Sequence, residues 1–428
     1  MNILLKSAKI IDPNSKFNNE IMDIYIKEGK IDQISKSINY KDKSNAKNSY
    51  IEFTAKNLHI SPGWFDLHAN FGEPGFEHNE TLDTGCNAAI KGGFTGVMLM
   101  PNNIPSIDNR SMIDFILNKT SNLIVDVLPA GNITQNSIGD SIVEMHDMSE
   151  GGCKAFTDDK NSLMRNDVMK VAMLYSIDCN ALIMNYPNDE SLSKNGVMHE
   201  GTTSTRLGLK GIPYMAEEMM VDRDINLLKY TNSRLHLSYI STKDSVKKIK
   251  IAKKKGLTIT ADVALHNLFL TENHINNFDT RYKVLPPLRE KEDINALIKA
   301  LKDNTIDVIS SDHTPISDEH KKVEFDNALN GIIGLESAFG LLCKHIAPKI
   351  GLSLLIEKIS INPRKILQLP QESINIGNKA NITLFDPEKE WEFTVDDIKS
   401  KSLNTPFIGT KMRGKALGII NKGILKVN

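Results

Sequence analysis

Cysteine is scarce in this 428-residue chain, and Cys86, Cys153, Cys179 and Cys343 lie far apart with no CxxC pair. A disulfide framework is therefore not expected, and the thiols read as reduced. No window reaches the roughly 18 to 20 uninterrupted apolar residues that a membrane-spanning helix needs. The opening segment MNILLKSAKIIDPNSK has neither a basic leader nor a small-residue cleavage site, so a cytoplasmic protein is expected. Net charge is absent too: 52 Lys+Arg face 53 Asp+Glu, a balance of -1. That excludes the electrostatic footprint of a nucleic-acid or anionic-membrane binder. Short repeats and low-complexity tracts are missing as well. What remains, 40% hydrophobic and 25% charged residues, is the composition of an ordinary globular protein with a large core.

The two ends of the chain alternate apolar and polar residues in the period of strands, in ILLKSAKIID and DIYIKEGKIDQIS near the start and in NITLFDP, EWEFTV and MRGKALGIINKGILKV near the end. Between them, short apolar runs such as GVMLMP, KAFTD, ALIMNYP, RLHLSYIS, LTITADV and DVISSDHTP each end in a polar cluster and precede an amphipathic segment. This βα alternation predicts an α/β chain: a (β/α)8 TIM-like barrel over residues 56–369, with functional groups at the C-terminal ends of its strands. Residues 1–55 and 370–428 are expected to pair as a composite β domain. The charge run KKIKIAKKKG reads as one solvated face of an amphipathic helix, and Asp108 and Asn109 as helix caps.

Chemistry concentrates in SPGWFDLHANFGEPGFEHNET, Ser61 to Thr81. A strand ending in Asp-x-His-x-His presents two imidazoles to a metal, because alternate strand residues point the same way. Here His68 is followed at that spacing by Asn70. On its own, a lone histidine in this place reads as hydrogen-bonded core.

That segment, with its continuation to MPNNIPSID, resembles the dihydroorotase family of the amidohydrolase superfamily. The resemblance runs on through KAFTDDKN, GVMHEGTTSTRLGLKGIPYMAEEMMVDRDI, LHLSYISTKDSV, KVLPPLRE, SSDHTP, GNKANITLFDP and SKSLNTPFIG, in the family's order. It implies an amidohydrolase barrel with a β-sandwich built from both chain ends, cyclic amide hydrolysis, and a metal centre of the type in which an aspartate takes the place of a carboxylated lysine.

Position by position, that centre is depleted. His68, Asp159 and Asp312 match family metal positions, Asp312 also being the family's catalytic base. Asn70, Tyr186 and Tyr239 stand where the resemblance expects histidines. On the substrate side Asn102 matches, whereas Gly72 replaces the arginine that grips the substrate carboxylate, and Leu285 and Ile316 replace polar contacts. A phenol with a pKa near 10 and a neutral amide are poor zinc ligands beside imidazole. Without a metal, water keeps a pKa near 15.7 and Asp312 has no competent nucleophile to deprotonate. Asp159 and Asp312 then need other compensation, which O–H donation from Tyr186 and Tyr239 would supply.

Two readings follow. The first is an inactive homologue without a cofactor, serving as a structural or regulatory partner of aspartate carbamoyltransferase, the kind of partner the resemblance implies, with a homodimer as the default assembly. The second is a cyclic amide hydrolase working with one zinc or other divalent metal on His68, Asp159 and Asp312. A strand-end pocket filled by Tyr186, Tyr239, Leu285 and Ile316 would favour the first, and an open one the second. His78, His236 and His266 are read as structural.

Overall fold

The strand-rich ends do pair with each other in the computed structural model, which describes residues 2–39 and 50–428. In one mixed sheet the hydrogen-bonded order is Ile424–Val427, Lys411–Asn421, Ile382–Glu392, His59–Pro62, Asn2–Ile10, Ile21–Lys27 and Lys30–Ser35, with Tyr50–Phe53 also pairing to Asn2–Ile10. The alternating apolar residues of both ends meet in one core that includes Ile3, Leu5, Ile24, Ile60, Leu384 and Ile420.

The joint between the two chain ends is His59–Pro62. It runs parallel to Asn2–Ile10 and antiparallel to Ile382–Glu392, with Ile60 opposite Leu384. The boundary expected at residue 55/56 therefore moves to Gly63, because this strand completes the sheet before the barrel begins. Gly63 tolerates no side chain: a Cβ there would sit 1.9 Å from Asn381 Oδ1 and 2.1 Å from Thr95 Oγ1. Trp64 follows at once, fully buried and packed against Phe94, Phe339 and Phe385, so that one indole ties the sheet to the barrel.

Eight short parallel strands form the barrel: β1 (Trp64–Ala69), β2 (Phe94–Leu99), β3 (Asp126–Pro129), β4 (Ala155–Phe156), β5 (Leu182–Asn185), β6 (Leu235–Leu237), β7 (Ile259–Ala264) and β8 (Val308–Ser310). Neighbours pair in chain order, a Gly131–Phe156 bridge links β3 to β4, and an Ala69–His313 bridge closes the ring. Six of the eight are the apolar runs read from the sequence and β1 is the segment before His68. Only β3, four residues long, gave no separate signal.

The helices follow their local chemistry. Asn109 caps Arg110–Thr120 by accepting from the Met112 amide. The lysine-rich run lies on Lys243–Lys254, which buries Val246, Ile249 and Ala252 and exposes Ile251. No helix among the described residues is long and apolar enough to cross a membrane.

Candidate active site at the barrel mouth

The strand ends bring the chemically loaded residues of the sequence together. Asp159, Tyr239 and Asp312 each sit just past a strand end with positive φ, at +47°, +58° and +51°. Non-glycine residues rarely adopt this conformation, and it costs about 1–3 kcal/mol each. The strained bends that aim ligands into a barrel mouth are thus present, whatever side chains they carry.

His68 bonds a different carboxylate, Asp262. Its Nε2 lies 2.6 Å from Asp262 Oδ2, and His236 Nε2 lies 2.7 Å from the same oxygen. The other Asp262 oxygen accepts from the Tyr239 amide and the Ser310 hydroxyl, each at 3.1 Å. Burial works against the Asp262 charge, yet His68 and then His236 outweigh it and hold the carboxyl well below its ordinary range. Burial likewise disfavours charge on His68, and Asp262 overcomes it and raises that imidazole. An ionised carboxylate only accepts, so both Nε2 atoms are donors. The remaining nitrogen of His68 faces the Met100 thioether at 3.3 Å, and that of His236 faces the Thr260 hydroxyl at 2.8 Å.

Asp159 is met by neutral donors. Tyr239 gives its phenolic O–H to Oδ1 at 3.1 Å, and the Asn102 amide bonds Oδ2 while also donating to Asn70 Oδ1 at 2.8 Å. Tyr239 therefore does what the sequence argument asked of it. Tyr186 does not: among the described hydrogen bonds it donates to neither carboxylate. It packs instead with Tyr239, Ala264 and Leu285, and burial pushes its phenol far above the ordinary value.

Asp312 is fully buried and held by a residue the sequence reading passed over. Lys160 Nζ lies 2.7 and 2.9 Å from its two oxygens. The same ammonium stands 4.8 Å from the Tyr239 ring centroid, and that ring lies 4.2 Å from the His68 ring. Burial raises the Asp312 carboxyl and Lys160 opposes the shift. His266 approaches Asp312 only to 3.8 Å, its buried Nε2 has no partner, and burial followed by Lys160 pushes the ring down to about 3, so it stays neutral.

The predicted metal set of His68, Asp159 and Asp312 is accordingly not assembled. Among the described residues, the cluster whose ligand atoms fall within 4.8 Å of one another is His68, His236 and Asp262. The physical reason is the pair of imidazole bonds to Asp262, which draws His68 aside, and the ammonium on Asp312. A family-type metal centre does not fit these donors. Its imidazole positions carry an amide and two phenols, its surviving imidazole presents N–H rather than a lone pair, and a cation already covers its last carboxylate. His236, read as structural, bonds Asp262 and Thr260 and is also part of that cluster; Asp262 and Lys160 were missed. The signals were a carboxylate inside the apolar strand ITADVA and a lysine directly after the Asp158-Asp159 pair.

Above this floor an open cleft of about 460 Å³ remains, lined by Asn70, Phe76, Asn102, Lys160 and Thr314 with Leu285 and Ile316. Tyr186 and Tyr239 pack below it, whereas Leu285 and Ile316 line the cleft without closing it. Gly72 lies on its rim with φ +63°, and a Cβ there would meet the Phe76 carbonyl at 2.7 Å, so this backbone admits no arginine without moving.

A second buried network braces the same end of the barrel. Arg289 of the PPLR motif donates to Ser241 Oγ and to His199 Nδ1, both at 3.0 Å, while Glu217 accepts from the amide and hydroxyl of Thr242 at 3.0 Å. The segments MHEG, YMAEEMM, SYIST and PPLRE, distant in sequence, thus converge on one cluster.

Comparison with known proteins agrees with this architecture. A dihydro-orotase-like family model matches residues 58–245. The dihydroorotase of Geotalea daltonii is 39% identical over 425 residues, covering 99% of this chain and 98% of its own. That of Thermoanaerobacter sp. strain X514 is 41% identical over 430 residues, covering 100% and 97%. Among solved structures, the L-hydantoinase (dihydropyrimidinase) of Arthrobacter aurescens superposes with a TM-score of 0.84 at 20% identity, over 100% of this chain and 97% of that one. The dihydropyrimidinase of Brevibacillus agri gives 0.83 at 21%, over 100% and 95%. The structural likenesses carry the barrel-plus-β-sandwich fold alone. The full-length identity to the two dihydroorotases carries more: the chain belongs to the dihydroorotase family.

Proposed function

We propose that this chain is a non-catalytic dihydroorotase homologue of pyrimidine biosynthesis, acting as a structural or regulatory partner of aspartate carbamoyltransferase, with a homodimer as its own assembly. The observation that carries the reading is the commitment of His68. The one imidazole left at the family's ligand positions donates its Nε2 proton to Asp262, which leaves Asp159 and Asp312 without an imidazole from those positions to share a metal. The missing carboxylate clamp at Gly72 removes substrate recognition independently, at about 1.5–3 kcal/mol for a charged hydrogen bond.

Two observations favour the alternative of a hydrolase with a single divalent metal: the cleft at the strand ends is open, and a three-residue cluster lies beneath it. His68, His236 and Asp262 are close enough to supply three ligands, provided that both Nε2 protons are released. Metal analysis of the purified protein after dialysis against zinc, beside a dihydroorotate hydrolysis assay, decides between them. Less than about a tenth of an equivalent of metal and no turnover are expected, followed by co-elution with aspartate carbamoyltransferase. One equivalent of zinc that vanishes in His68→Ala, with hydrolysis of a cyclic amide, overturns the first reading.

A further inference from the structure

A buried carboxylate that has lost its metal leaves a charge in a low-dielectric site, and such a charge persists only if another cation reaches it. Asp312 is in that position: its side chain has no solvent exposure, whereas Lys160 on the rim of the cleft keeps 16%. The geometry points to Lys160 as a tethered counter-ion that has taken over the charge-neutralising task of the metal centre. This deepens the reading that the barrel mouth lacks a metal, and it can fail separately from it.

Three contacts support the assignment. Both oxygens of Asp312 are within 2.9 Å of Nζ, so one ammonium covers the whole carboxylate. Nζ also lies 4.8 Å from the ring centroid of Tyr239, the residue whose hydroxyl bonds Asp159. Lys160 and Tyr239 therefore attend to the two carboxylates in parallel, one by charge and one by a neutral donor, and brace each other. The third contact is an absence of competition. His266 stands 3.8 Å from Asp312, beyond hydrogen-bond range, and Thr314 Oγ1 approaches Asp312 Oδ1 only to 3.5 Å. Apart from Lys160, no closer polar side chain serves this carboxylate among the described residues.

A lysine differs from a metal in what it permits. It supplies one positive charge from a fixed tether, neither coordinates nor acidifies water, and cannot be removed by a chelator. The barrel mouth should then owe its stability to residue 160 and be indifferent to divalent ions.

The test is a double-mutant cycle on thermal unfolding of the full chain, using Lys160→Met, Asp312→Asn and the two combined, with EDTA and zinc chloride added to the wild type. Lys160→Met is expected to lower the midpoint by about 5 °C or more. The combined variant, having no charge left to neutralise, should recover most of that loss. The wild-type midpoint should move with neither EDTA nor zinc. Full stability in Lys160→Met, or losses that simply add in the combined variant, overturns the assignment and leaves the non-catalytic reading standing. A wild type that EDTA destabilises overturns both. If Lys160→Met yields no folded protein, the combined variant decides: folded protein supports the inference and unfolded protein refutes it.

Discussion

Two buried polar clusters sit at the same end of the barrel and are built from different partners. Around Arg289 and Glu217, the residues brought together are those of the motifs that carry the family resemblance, and they form a network of charge paired with charge and hydroxyls. Around Asp159 and Asp312, the backbone bends remain while amides, phenols and a lysine occupy the side-chain positions. The first cluster fixes where loops leave the strands. The second would hold the reacting groups. The contacts that brace the scaffold are therefore separate from those that hold the two carboxylates at the mouth.

The sharpest way to break this comparison is at Arg289. Its side chain is 3% exposed, and removing it takes away the cation 3.8 Å from the buried Glu217 carboxylate. That carboxylate keeps its neutral Ser241 and Thr242 donors, while Ser241 and His199 are left without their guanidinium partner. Arg289→Ala should cost about 3–5 kcal/mol, read as a fall in the denaturant midpoint; a loss under about 1 kcal/mol would mean that the scaffold cluster is no firmer than an exposed ion pair.

Acid should expose the scaffold cluster next. Burial, and then the neighbouring Arg289, pushes His199 down to about 4 from an ordinary 6.5. The unfolded chain then takes up a proton over a range in which the folded one does not. Stability is intact above about pH 6.5 and falls as pH drops toward 4, by on the order of 2–3 kcal/mol. In His199→Gln the slope of stability against pH over that window should flatten. An unchanged slope would assign the acid sensitivity to other groups.

The smallest expected effect belongs to the replaced cluster. Tyr239→Phe removes one neutral donor from Asp159 and leaves the Asn102 bond, so a loss of about 1 kcal/mol is expected by chemical denaturation. A neutral result would show that Tyr239 contributes through its ring contacts with His68, Tyr186 and Lys160 and not through its hydroxyl.

Much of this architecture was legible in the sequence for a simple reason. Period-two alternation at the ends and apolar runs with polar tails in the middle are direct imprints of a half-buried sheet and of a parallel barrel with one working face. The sheet strand His59–Pro62 was misassigned because its membership depends on a partner near residue 382, which no local pattern reveals. In the site, Asn70, Asn102, Asp159, Tyr239 and Asp312 lie together because strand ends converge. The partnerships were not legible, since His68 choosing Asp262 and Lys160 reaching Asp312 are decided by side-chain geometry across the barrel. Tyr186 shows the same limit: its position was right and its bond was not.

The joint at His59–Pro62 also sets an order of events during synthesis. Trp64 donates its amide to Thr383, 319 residues later in the chain. The first strands therefore leave the ribosome with one edge unpaired and wait through translation of the whole barrel before Ile382–Glu392 arrives to cover it. At about 5–20 residues per second that interval is tens of seconds, long enough for a chaperone to hold the nascent sheet.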